Sequence, residues 1–241
     1  FLKLSKGTEA GFDPLSLLDR LLPVYGEVLR QLRDSGAEWV QVDEPCLVLD
    51  LNDVDRVALK KTYQVLGKAV PNLRLMLTTY FGGLGDNLQT ALSLPVAGLH
   101  VDLVRAPEQL DAVIVGANPD QVISLGVIDG RNIWRADLQA IYDRIAPAIA
   151  SRGAALFEIA PSCSLLHVPI DLEQESDLDA DLRSWLAFAV QKIEELKILS
   201  RALGDGIGSV ASEFRDASAA IAARRKSTKV HNRLVTERAL A

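Results

Sequence analysis

The chain is poor in the residues that build metal centres and disulfides: its 241 residues include two cysteines, three histidines and one methionine. Two cysteines make no disulfide framework, which points to a reducing compartment. No apolar run approaches the roughly 18–20 residues that cross a bilayer. The opening Phe1-Leu2-Lys3-Leu4-Ser5-Lys6 has too short an apolar stretch for a signal peptide, and no small-residue cleavage site follows. Basic charge is not in excess either. Lys and Arg number 26 against 32 Asp and Glu, a formal net charge of −6, so no long-range field draws in nucleic acid or an anionic membrane. Nucleotide-cradling loops are missing too: no Gly-x-Gly-x-x-Gly follows a strand, no Walker-type loop is present, and Gly204, Gly206 and Gly208 follow a helix. These absences predict a cytoplasmic soluble chain with no nucleic-acid or membrane partner.

What is present has the balance of an α/β domain. Hydrophobic residues make up 49% and charged residues 24%, enough to bury a core in a chain of this length. Six apolar β-type segments recur, at residues 1–4, 39–43, 73–79, 98–103, 121–127 and 154–161. The stretches between them are long enough for helices, and strands that alternate with helical crossovers lie parallel and buried on both faces. Asp13 as N-cap and Pro14 at the first helical position open a helix carrying Leu15, Leu18, Leu22, Tyr25, Leu29 and Leu32, which Gly36 closes. Pro23 should bend or split it. Further helices are expected at 53–69, 85–94, 107–115 and 134–151. After Asp177 the strands cease. One long helix over 179–203 should bury Leu182, Trp185, Leu186, Ala189, Ile193, Leu196 and Leu199, and a second should run over 209–225. The basic stretch 224–229 lacks interleaved aromatics and reads as a solvated connector.

In parallel sheets and barrels the reactive groups sit where strands end. That directs attention to Asp43-Glu44-Pro45-Cys46, Thr78-Thr79-Tyr80-Phe81 and Ser162-Cys163. Asp43 and Glu44 are a possible acid–base pair, yet successive strand residues point to opposite faces, so a regular strand cannot aim both at one substrate. Arg131, in the turn Asp129-Gly130-Arg131-Asn132, offers a cation that either meets a ligand carboxylate or pairs with a neighbouring acid. His100 lies mid-strand and reads as structural, His167 lies in a loop and His231 in the basic tail. Cys46 and Cys163 read as buried thiols.

Seven phrases in order give the chain a family resemblance. They are Trp-Val-Gln-Val-Asp-Glu-Pro (39–45), Leu-Thr-Thr-Tyr-Phe (77–81), Leu-Pro-Val-Ala-Gly-Leu-His-Val-Asp-Leu-Val (94–104), Asp-Gly-Arg-Asn-Ile-Trp (129–134), Ser-Cys-Ser-Leu-Leu-His (162–167), Ser-Trp-Leu-Ala-Phe-Ala-Val-Gln-Lys (184–192) and Arg-Lys-Ser-Thr-Lys-Val-His-Asn (225–232). Together they resemble the later part of the amino-terminal barrel of cobalamin-independent methionine synthase. The resemblance implies two face-to-face (β/α)8 barrels in the complete family member. It implies here a partial TIM barrel, about strands 3–8, over residues 1–175, followed by packing and connector helices over 176–241. By the same resemblance the carboxy-terminal barrel, outside this chain, holds zinc, homocysteine and folate and transfers the methyl group. The amino-terminal barrel helps to grip the polyglutamylated folate.

The family's zinc ligands are a His-x-Cys pair, a Glu and a Cys on the fifth, sixth and eighth strands of the catalytic barrel. The corresponding places here carry Thr79, Tyr80 and Phe81, then Asp102, then Cys163. One thiol makes no closed zinc site, so no metal and no cofactor is expected in this segment. Asp43, Glu44 and Arg131 are the residues expected to touch substrate. The expected partner is the remainder of the same protein, and the segment alone is expected to be inactive. Two other readings stand beside this one. The first is a free-standing TIM-barrel enzyme using Asp43, Glu44 and Cys163, against which the open edges of an unclosed barrel count. The second is an interaction module that docks through the 179–203 helix.

Overall fold

The computed structural model of the chain describes residues 2–6 and 10–240. Among the described residues the expected strand over 1–4 is absent. Leu2–Leu4 is a single 3-10 turn that buries Leu2 and sends Lys3 to the Asp55 carboxylate at 2.6 Å. Alternation over four residues did not distinguish a strand from a turn with one buried leucine. Phe1 and the break at Gly7 lie outside the described residues. Asp13 accepts from the Leu15 amide, and a 3-10 turn at Pro14–Leu17 leads into α1, Leu18–Asp34. Pro23 does not split α1, which runs on through it although the proline gives no N–H to the Asp19 carbonyl one turn earlier. Gly36 takes φ +96° just beyond the helix end.

β1, Trp39–Asp43, is followed by α2, Asp53–Ala69, whose start is fixed by a reciprocal capping box between Asn52 and Asp55. The alternation continues through β2 (Arg74–Thr78), α3 (Leu88–Ser93), β3 (Gly98–Asp102), α4 (Leu110–Gly116), β4 (Val122–Ile128), α5 (Leu138–Arg152) and β5 (Phe157–Pro161). The strands form one sheet in the order β1-β2-β3-β4-β5 with parallel pairing. Chain order and spatial order coincide.

Register sorts the side chains onto two faces. One carries the aligned row Val42, Leu77, Leu99 and Ile123, with Val40 beside Leu75 and Val101 beside Leu125. Val40, Val42 and Leu75 pack with Leu22 and Leu29 of α1 and with Leu66 and Val70 at the end of α2. Each buried leucine contributes roughly 1.5–3 kcal/mol. The opposite face carries Gln41, Met76, Gly98 and Val122, then Asp43, Thr78, His100 and Ser124. The Met76 side chain lies over Gly98, where a Cβ would fall 2.5 Å from Met76 Cε and displace the end of that flexible side chain.

The chain divides into two compact units. The first comprises residues up to 126 together with 152–162, the second 127–151 together with 163 onward. The second unit gathers most of α5 with α6 (Ala180–Trp185), α7 (Ala189–Asp205), α8 (Ala211–Lys226) and α9 (Arg233–Leu240). The single helix expected over 179–203 is therefore two helices. Between them Leu186 leaves helical geometry and bridges Trp134 antiparallel. The Arg135 amide donates to the Trp185 carbonyl and the Ala187 amide to the Ile133 carbonyl, both at 2.8 Å. For the same reason the helix expected from residue 134 begins at Leu138. The buried face of α7 also differs from the expected stripe: Lys192, Glu195, Leu199 and Ala202 are buried and Ile193 is exposed.

Candidate functional site

The carboxyl ends of β1–β4 present one polar row across the sheet, Asp43, Thr78, His100 and Ser124. His100 is 5% exposed, and its Nδ1 lies 2.9 Å from Ser124 Oγ. Burial holds the imidazole below its ordinary value, against the upward pull of the Ser162 backbone and of Asp102 and Asp43. Gly126 makes room for the ring, since a Cβ there would meet His100 Nε2 at 2.9 Å and the Val101 carbonyl at 2.8 Å. Thr79 Oγ1 donates to the His100 carbonyl, whereas Thr78 Oγ1 is buried without a partner. The structural reading of His100 holds for its packing, and the row around it went unnoticed because register is not written in the sequence.

One step further along β3, Asp102 is nearly inaccessible. Its Oδ2 accepts from the Phe81 amide at 3.0 Å, and its Oδ1 from the amides of Val104 and Arg105. Asp102 is thus spent on holding two loops. Tyr80 stacks edge-on against Phe81 at 4.7 Å, and its hydroxyl reaches Asp43 Oδ2 at 3.3 Å.

Asp43 and Glu44 do not separate as regular alternation would require. Glu44 leaves strand geometry at φ −126°, ψ 65°, and both residues border one cavity of about 140 Å3 walled by leucines of α1 and α2. Their partners differ. Asp43 accepts from Gln41 and Tyr80, whereas Glu44 accepts from the buried Tyr63 hydroxyl at 3.0 Å and from the Cys46 thiol at 3.4 Å. Burial, with Glu44 beside it, pushes the Cys46 thiol up to about 12. Cys46 is therefore a donor to a carboxylate, not a nucleophile.

In the second unit Asp129 organises the turn that bears Arg131. It accepts from the Arg131 amide at 2.8 Å and from Asn132 Nδ2 at 2.6 Å, and leaves the Arg131 side chain exposed. Cys163 packs on Gly130, where a Cβ would lie 2.9 Å from its sulfur. Lys192 is fully buried, and its Nζ donates to the Trp134 carbonyl at 3.2 Å. Glu195 Oε1 accepts from the Ala136 amide at 2.8 Å. Burial lowers the Lys192 ammonium and raises the Glu195 carboxyl. Neither residue belongs to the apolar stripe expected over 179–203. Arg224 covers the Trp134 ring at 4.7 Å, and Lys229 pairs with Asp179, so cations of the basic stretch are engaged within the unit. Among the described residues no group of three or more His, Cys, Asp or Glu could hold a metal, and no helix is long and apolar enough to cross a membrane.

Residues 1–152 match the family described as cobalamin-independent synthase, N-terminal domain. The chain belongs to this family. It is 59% identical over its whole length to the 5-methyltetrahydropteroyltriglutamate–homocysteine methyltransferase of Nitrobacter winogradskyi. Over 238 residues, 99% of the chain, it is 60% identical to the protein of that name from Mesorhizobium japonicum. In both cases it spans 31% of the relative's length. Among solved structures, the putative vitamin-B12-independent methionine synthase of Listeria monocytogenes aligns with a TM-score of 0.54 at 20% identity, covering 80% of this chain and 56% of that one. At that identity the likeness concerns the fold. The chain has the expected α/β character, with a five-stranded parallel sheet.

Proposed function

We propose that this chain is the later part of the amino-terminal barrel of a cobalamin-independent methionine synthase. In this reading residues 1–175 are a partial (β/α)8 barrel and 176–241 the packing and connector helices. The complete protein transfers the methyl group of 5-methyltetrahydrofolate polyglutamate to homocysteine, in the cytoplasm. The observation that carries the reading is the collinear 59% identity to a methyltransferase of which the chain spans 31%. The sheet supports it, with strands in sequential order and, on the face turned from α1 and α2, polar side chains at the carboxyl ends of the strands, where barrel sites lie.

The segment is non-catalytic in this reading, with zinc held by the absent carboxy-terminal barrel. Asp102 and Cys163, at the positions that correspond to family ligands, are engaged in holding loops and packing on Gly130. Arg131 is proposed to meet a glutamate carboxylate of the folate tail, with Asp43 and Glu44 as the other substrate-facing residues. The test is reconstitution. The chain alone should form no methionine from homocysteine and methyltetrahydrofolate triglutamate, and addition of the rest of the protein should restore turnover. In the complete enzyme Arg131→Met should raise KM for the triglutamate several-fold and leave that for the monoglutamate unchanged. Turnover by the chain alone would favour a free-standing enzyme.

A further inference from the structure

The cavity of about 140 Å3 in the first unit has no occupant in the reading above. An apolar cavity of about 150 Å3 stays dry and takes up benzene. Leu18 and Leu22 of α1, Val42 of β1, and Leu59 and Leu66 of α2 give this one walls of the same kind. Tyr25 and Asp43 also line it and are exposed, so it sits against the surface of the unit.

One end has a different chemistry. Asp43, Glu44, Cys46 and Tyr63 all border the cavity. Glu44 Oε1 accepts from the Tyr63 hydroxyl at 3.0 Å and its Oε2 from the Cys46 thiol at 3.4 Å, so the carboxylate lies between two side chains of the cavity wall. Asp43 accepts from Gln41 and Tyr80. All four donors are neutral. Among the described residues no Lys, Arg or His pairs with either carboxylate, and Lys3, which also lines the cavity, is taken by Asp55 at 2.6 Å. Burial, then the charge of Glu44, raises both the Tyr63 hydroxyl and the Cys46 thiol, so these donors stay protonated and leave the charge of Glu44 unbalanced. Glu44 is half-buried and Asp43 exposed, which keeps both within reach of a ligand.

An anion is repelled from this end. A neutral hydrocarbon fills the leucine walls and leaves both carboxylates without a counter-charge, and a bare cation does the reverse. A primary ammonium on a compact apolar group satisfies both, since it carries charge and three donors on a body that can displace no water it needs.

We propose that this cavity binds a primary amine carried on an apolar group of about benzene's size, the apolar group between α1 and α2 and the ammonium on Glu44 with Asp43 beside it. The proposal does not depend on the methyltransferase reading, because it rests on the cavity of the first unit alone, and either can fail without the other.

The experiment is calorimetric titration of the 241-residue chain at neutral pH with benzylamine, benzyl alcohol and methylamine, the last two lacking the charge and the ring respectively. Benzylamine should bind saturably, and each of the other two at least ten-fold more weakly. Glu44→Gln keeps an acceptor for the Tyr63 hydroxyl and should weaken benzylamine at least ten-fold. Ala58→Leu, on the α2 wall of the cavity, fills the space of the ring and should weaken it similarly. Absence of saturable binding by benzylamine, equal binding of benzyl alcohol or methylamine, or unchanged affinity in Glu44→Gln overturns the proposal. The analogue series uses the unaltered chain, so it decides the matter even if a variant fails to fold.

Discussion

The Asp102 carboxylate holds the backbone of Phe81, accepting from its amide at 3.0 Å, and Phe81 is the one described non-glycine residue at positive φ, 76°. A left-handed phenylalanine costs on the order of 1 kcal/mol or more, so the loop after β2 keeps this shape because β3 grips it. Asp102→Ala removes the acceptor of three buried or half-buried amides and should destabilise by about 3 kcal/mol or more. Phe81→Gly relieves the strain and forfeits the ring contact with Tyr80. In the Phe81→Gly background the Asp102→Ala penalty should shrink by about 1 kcal/mol. Equal penalties in both backgrounds, measured by denaturant unfolding, would refute the coupling.

The imidazole of His100 resists a proton in the folded chain, because burial holds its pKa below the ordinary value of 6.5. The unfolded chain accepts that proton. The contribution is fully present above pH 6.5 and is lost as pH falls through the folded value. Unfolding free energy of the wild-type chain should therefore fall more steeply below that pH than that of His100→Gln, by up to about 1.4 kcal/mol per pH unit. Parallel profiles between about pH 5 and 8 would contradict it.

Two glycine-to-alanine changes should have opposite signs. At Gly126 the new methyl lies within 2.9 Å of the His100 ring and 2.8 Å of the Val101 carbonyl, and the cost should be about 2–3 kcal/mol. At Gly204, inside α7, nothing lies within 4 Å of the new Cβ. That change should stabilise by up to about 1 kcal/mol through helix propensity. Thermal melts of the two variants check the pair together.

Cys46 should be inert in the native chain. With its thiol pushed up to about 12, the thiolate fraction at pH 8 is on the order of a thousand-fold below that of an ordinary cysteine. Iodoacetamide labelling followed by peptide mass mapping should mark Cys46 only under denaturing conditions. Rapid native labelling would show that Glu44 and burial do not suppress the thiolate.

Much of the first unit was legible in the sequence, because its strands are short, largely apolar runs separated by turn residues and helices. Asp13, Pro14, Gly36 and the span of α2 announced themselves through backbone chemistry that acts locally. The second unit was less legible. An apolar Trp-Leu-Ala-Phe run satisfies helical periodicity equally well whether or not its middle residues pair with Ile133 and Arg135. Likewise Lys192 and Glu195 read as solvent-facing until the segment 134–136 supplies backbone groups that need them. At the site, Asp43 and Glu44 were visible as a strand end, but their common cavity depends on Glu44 leaving the strand. Asp102 acts on a loop 21 residues earlier, a relation that only the β2–β3 register creates.

Because each strand lies beside the one made just before it, a chain emerging from the ribosome always finds its docking edge already built. Growth can proceed outward from β1 toward β5, one strand and one helix at a time, with short-range loop closures at every step. During synthesis the newest strand of this sheet presents an open edge until the next is threaded beside it.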